Sequence, residues 1–164
     1  MSKYEELNQI FTNAGEEFNN YRWKCIEFSK EIGKNLANYL ECNEEDIQYY
    51  LYDKDGKPIE AHPRDALILG NDTFWHYGMG INLYPIGNKN PAPPFIFHMA
   101  VKGEKDKFIV QIPDLKKEFE ISPNRPEDYK PMNDLIFNTI KDRFENQLEK
   151  FLKHQSAEHY PEYM

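Results

Sequence analysis

Five histidines (His62, His76, His98, His154 and His159) are the side chains best placed to move a proton near neutral pH or to hold a metal ion. His76 and His98 lie inside alternating, strand-like runs, and they are the two catalytic candidates. Asp72 stands four residues before His76. Neither that pair, nor His62, nor His154 with His159, has a third partner at a spacing diagnostic of zinc, so no metal and no other cofactor is expected. Serine nucleophiles are poorly supplied. Ser2, Ser29, Ser122 and Ser156 fall in helical, linker or terminal stretches, and no G-x-S-x-G occurs. There is no phosphate-binding loop, and Gly78-x-Gly80 lacks the third glycine and the helix of a dinucleotide fingerprint. Asp53 and Asp55 open a loop like that of an EF-hand, but its twelfth position is Arg64 rather than a glutamate. Glu16-Glu17 and Glu27/Glu31 read as solvated helix faces, not as the inward strand carboxylates a glycosidase needs. Catalysis finds little support.

The elements that must position these residues centre on positions 74–121. From Phe74 to Tyr84 the odd positions Trp75, Tyr77, Met79, Ile81 and Leu83 are all apolar or aromatic, whereas the even ones include His76, Gly78, Gly80 and Asn82. Such alternation is the mark of a half-buried strand. Further strands are expected at 95–101, 108–112 and 117–121, the last an edge strand whose outer face is charged. Ile47 to Tyr52 reads as another strand, followed by a turn at Asp53–Gly56 and a short return at 57–60.

Pairing of 74–84 with 95–102 requires partner numbers that sum to an even value, so that the large apolar sets share a face. Centring on the intervening loop gives a sum of about 180, which sets Ile81 opposite Met99, Asn82 opposite His98 and Gly80 opposite Ala100. The second face then carries Gly78, Gly80 and Ala100 flanked by His98, Asn82 and His76. Glycine inside a strand marks a close approach by another group. A helix of the same chain is the expected visitor. The alternatives are a bulge, or a ligand or partner chain approaching Gly78, Gly80, Asn82, His98 and Ala100.

Helices flank the strands. Ser2-Lys3-Tyr4-Glu5 fits a capping box, and behind it Tyr4, Leu7, Phe11, Ala14, Phe18, Tyr21, Cys25, Phe28, Ile32, Leu36 and Tyr39 recur at steps of three and four. One helix of that reach measures roughly 58 Å, so a bend is expected at Asn13-Ala14-Gly15 or Asn19-Asn20. Packing on the sheet is favoured over a coiled coil because aromatics dominate the seam. Near the other end Met132, Ile136, Ile140, Phe144, Leu148 and Leu152 form an i, i+4 row, an amphipathic helix over 131–153.

The expected fold is therefore α+β, an antiparallel sheet of five to six strands packed by N-terminal and C-terminal amphipathic helices. A single domain spans 1–154 and a flexible tail 155–164. The chain has 164 residues and a net charge of −8, with ten acidic and five basic groups in positions 1–46. That excess argues against nucleic acid, whose phosphates need Lys and Arg, and permits a basic protein partner. No apolar run is long enough to span a bilayer, and Cys25 and Cys42 have no CxxC partner. A cytoplasmic monomer or homodimer is expected. The function expected is non-catalytic binding of another protein, of adaptor, chaperone-like or immunity-like type, with Tyr50 and Tyr52 at the interface. The alternative is a small-molecule binder or enzyme using the His98/Asn82/Gly80 face.

Overall fold

Ser2 starts the first helix. In the computed structural model, which describes residues 2–154, its hydroxyl accepts from the Glu5 amide at 3.1 Å and the Glu5 carboxylate answers the Ser2 amide at 3.4 Å. This is the expected capping box. Helix α1 then runs unbroken over Lys3–Leu40 and ends at Glu41, which takes a left-handed conformation (φ 58°). The bend expected at Gly15 or Asn19-Asn20 does not occur. A bend is needed only if the whole helix wraps the core, and residues 2–20 are all exposed. Gly15 has no neighbour within 4 Å at its side-chain position, so nothing there deflects the backbone. The second half does the packing, through Cys25, Ile26, Phe28, Ile32, Leu36 and Ala37, and of the first half Phe18 reaches the Trp75 ring, centroids 6.2 Å apart.

The sheet is antiparallel, in the order β2-β1-β4-β5-β6-β7. Its strands are β1 (Ile47–Tyr52), β2 (Pro58–Glu60), β4 (Trp75–Ile81), β5 (Phe95–Glu104), β6 (Lys107–Ile112) and β7 (Lys117–Ile121). Between β2 and β4 come a one-turn helix α2 (Pro63–Ala66) and a two-residue strand β3 (Ile68–Leu69), which pairs with β4 and makes seven strands. The alternation of β4 is realised as expected. Trp75, Tyr77, Met79 and Ile81 are buried against the helices together with Phe97, Met99, Val101 and Val110. Phe28 of α1 stacks on Phe108 with ring centroids 4.0 Å apart.

The β4–β5 register keeps the expected parity but not the expected centre. Trp75 pairs with Val101, Gly78 with His98 and Ile81 with Phe95. The pairing is centred on Asn88 because the chain reverses in the tight turn Pro85–Asn88, closed by the Asn88 amide on the Pro85 carbonyl (2.9 Å) with Gly87 at φ 82°. Asn82 consequently lies past the end of β4, and its amide donates to Asp46 at 2.8 Å.

The C-terminal helix is divided into α3 (Lys130–Glu145) and α4 (Gln147–His154) rather than continuous. Asn146 interrupts it: its side-chain amide donates to the Asp142 carboxylate at 2.7 Å, a local bond that competes with regular helix. Met132 and Ile136 of the expected row are fully buried, but Leu148 and Leu152 are exposed. α3 meets α1 through Asn133 to Asn35 (2.7 Å) and Tyr39 to Asp134 (2.5 Å). Among the described residues no helix is long and apolar enough to cross a membrane. The 155–164 tail, and with it His159, lies outside the described residues.

Candidate functional site

On the face of the sheet turned away from α1 and α3, glycines decide what fits. A side chain at Gly80 would lie 2.5 Å from Cε2 of Tyr50, and one at Gly78 would meet Cβ of Tyr50 and the Tyr52 hydroxyl at 3.0 Å each. The visitors are therefore tyrosines from the adjoining strand, where a docking helix was expected. Tyr50 pairs with Gly78 in register and is only 8% exposed. Gly80→Val is expected to overpack this contact and destabilise the fold by ~1–3 kcal/mol. A thermal or denaturant melt measures it.

Beside the tyrosines, the four-residue difference in pair sum brings the two histidines together. His76 pairs with Ala100 and His98 with Gly78, which makes the histidines diagonal neighbours. Nδ1 of His76 lies 2.8 Å from Nε2 of His98. Nε2 of His76 sits between both carboxylate oxygens of Asp72, at 2.9 and 3.0 Å. Asp72 is aimed by a tight turn in which the Gly70 amide donates to Phe74 (2.8 Å) and the Phe74 amide to Asp72 (3.1 Å). Thr73 occupies the left-handed region there (φ 71°), unusual for a β-branched residue and costing ~1–3 kcal/mol. Gly70 makes the packing possible: a side chain on it would fall 2.7 Å from the Asp72 carboxylate and 2.8 Å from the His76 ring.

Burial pushes the His98 imidazole below the usual histidine range; His76 adds to this, while Asp114 and Asp72 oppose it. The hydrogen bond from His76 holds the Asp72 carboxyl below the ordinary carboxylate range. Tyr52, whose ring meets His98 edge-on at 5.4 Å, is pushed up to about 12 by burial and by the charge of Asp114. Tyr52, both histidines and Asp114 border a cleft of about 490 Å³. Its walls come from Tyr52, His76 and His98 on the sheet, Gly56 and Ile68 at one rim, and Asp114 in the turn after β6. Among the described residues no group of three or more His, Cys, Asp or Glu side chains is arranged to hold a metal ion.

Of the residues singled out in the sequence, His76, His98, Gly78, Gly80 and Ala100 share this face, and Asn82 is not opposite His98. Tyr50 and Tyr52 cover the glycines. Asp114, Gly70 and Ile68 are additions from the structure. Gly70 stands in an irregular stretch, Asp114 in a single 3-10 turn (Pro113–Leu115) and Ile68 in a two-residue strand, all too short for spacing to carry a signal. No family model, no curated protein and no solved structure matches the chain.

Proposed function

We propose that the protein acts by binding another protein, and that the first half of α1 is the surface it presents. The observation that carries this reading is a row of large apolar side chains left uncovered on a regular helix. Tyr4 is 74% exposed, Leu7 63% and Phe11 81%, with Ile10 and Phe18 also half-exposed or more. Exposed apolar residues scattered singly need no explanation, but a contiguous stripe marks an interaction site. An amphipathic helix with anchors at such spacing is the ligand half of a helix-in-groove complex.

Charge selects the partner. Positions 3–20 hold Glu5, Glu6, Glu16 and Glu17 against Lys3 alone. Two copies of this helix laid side by side would set glutamates against glutamates in either direction, which is unfavourable. An apolar groove rimmed by Lys or Arg suits the stripe and its acidic flanks together. Tyr50, expected at an interface, is spent on covering Gly80 and contributes little free surface.

The test is a photo-crosslinking residue in place of Leu7, followed by purification of the captured protein and direct titration. Phe11→Glu is expected to weaken that complex at least tenfold while changing unfolding free energy by less than ~0.5 kcal/mol, as for a surface position. Added salt should weaken it further. A complex indifferent to Phe11→Glu would refute the assignment.

A further inference from the structure

With both rings neutral, the hydrogen-bond chain Asp72–His76–His98 can run in one direction only. A carboxylate only accepts, so Nε2 of His76 must carry hydrogen. With one proton on each ring, Nδ1 of His76 is then an acceptor, and the 2.8 Å contact requires the donor to be Nε2–H of His98. The remaining nitrogen, Nδ1 of His98, is left with a lone pair. No described group donates to it, and it is not among the buried polar atoms sealed from solvent. His98 forms part of the cleft wall. The cleft thus contains a half-buried acceptor whose tautomer is imposed from 22 residues away in sequence.

Its surroundings define what would pair with that acceptor. Among the described residues Asp114 is the one carboxylate that lines the cleft, and no Lys or Arg lines it. Tyr52 contributes an aromatic ring and Ile68 an apolar wall. A volume of about 490 Å³ lies within the range of small-molecule sites. We propose that the cleft binds a small organic primary ammonium compound, one N–H donating to Nδ1 of His98 and the positive charge answered by Asp114. The Tyr52 ring favours the same cation, and the organic remainder rests on Ile68. Asp72 and His76 are positioning residues. They hold the His98 lone pair toward the ligand and need not touch it.

Three probes of one shape separate the requirements. Protonated benzylamine supplies charge and donor, benzyltrimethylammonium charge without a donor, and benzyl alcohol a donor without charge. Nuclear magnetic resonance of ring-labelled histidines reads both affinity and tautomer near pH 7.5. In the free protein Nδ1 of His98 is expected to be the unprotonated nitrogen. A hydrogen found there overturns the proposal before any ligand is added. Benzylammonium is expected to bind at least tenfold more tightly than either other probe and to shift the Nδ1 signal of His98. Asp114→Asn, an exposed change, should weaken it about tenfold with the tautomer intact. Gly70→Ala, which pushes Asp72 away from His76, should release the tautomer and weaken binding together. Lowering the pH until His98 takes a second proton should abolish binding, since the acceptor is lost. Equal affinity for benzyltrimethylammonium, no binding of benzylammonium at millimolar concentration, or indifference to Asp114→Asn would each defeat the assignment.

Discussion

Phe97→Ala is expected to lower the free energy of unfolding by about 3–5 kcal/mol, the cost of emptying a large aromatic site in a packed core. Phe97, the third residue of β5, faces the helices at 4% exposure and stands opposite Met79, which is fully buried. Its ring also packs against Phe95, centroid to centroid at 5.1 Å. Sheet on one side and helices on the other leave little room for collapse into the space. The neighbouring Ile96 points to the opposite face, over Gly78 and Gly80, and is only half-buried. Denaturant unfolding of the variant measures the difference directly. A loss below ~0.5 kcal/mol, the scale of surface positions, would mean that the strand presents its other face to the helices.

Gly33→Ala is the second large effect, and there the sign is the test. In the interior of a helix, alanine in place of glycine should stabilise by ~1 kcal/mol. At this position the opposite is expected. A side chain on Gly33 would overlap the Tyr49 hydroxyl, which passes close to the α1 backbone to donate to the Ser29 carbonyl at 2.9 Å. Tyr49 in turn stacks on Tyr77, with centroids 5.8 Å apart. Burial already pushes the Tyr49 hydroxyl well above the tyrosine range, so displacing it from its acceptor leaves a costly unpaired group. Overpacking and the lost bond outweigh the gain in propensity, for a net destabilisation of ~1–3 kcal/mol. Gly33→Ala melting higher than the parent would show that Tyr49 can swing aside freely.

These two positions mark how far the sequence could be read. Phe97 announces its face because alternation along 95–101 is a local pattern, and a strand's side-chain period leaves no choice between its two faces. Gly33 announces nothing. Its reason is a tyrosine on a strand beyond the helix end, and a non-local neighbour leaves no periodic trace. The same distinction explains α1. Steps of three and four define an apolar stripe, but they are equally regular where the stripe is covered, at Cys25 to Leu36, and where it is bare, at Tyr4 to Phe11. The histidine pair depended on a still finer quantity. Parity, set by hydrophobic pattern, decides the face; the turn at Pro85–Asn88 decides the offset, and only that offset brings His98 to His76 rather than to Asn82.

The order of the strands has a bearing on biosynthesis. From β4 to β7 every strand pairs with its successor, so that part of the sheet assembles as the chain is made. α1 is covered from further away and in stages. Its hydrogen bonds to the rest span 20 residues between Ser29 and Tyr49 and 42 between Arg22 and Arg64, but 82 between Tyr21 and Gly103 and 98 between Asn35 and Asn133. At roughly 5–20 residues per second of synthesis, the last cover over the buried face of α1 arrives on the order of 4–20 s after the helix itself. Until then the stripe from Tyr4 to Tyr39 is only partly covered, and a chaperone that recognises exposed amphipathic helices would meet more of it than the folded protein shows. Completion of the sheet then hides the second half alone.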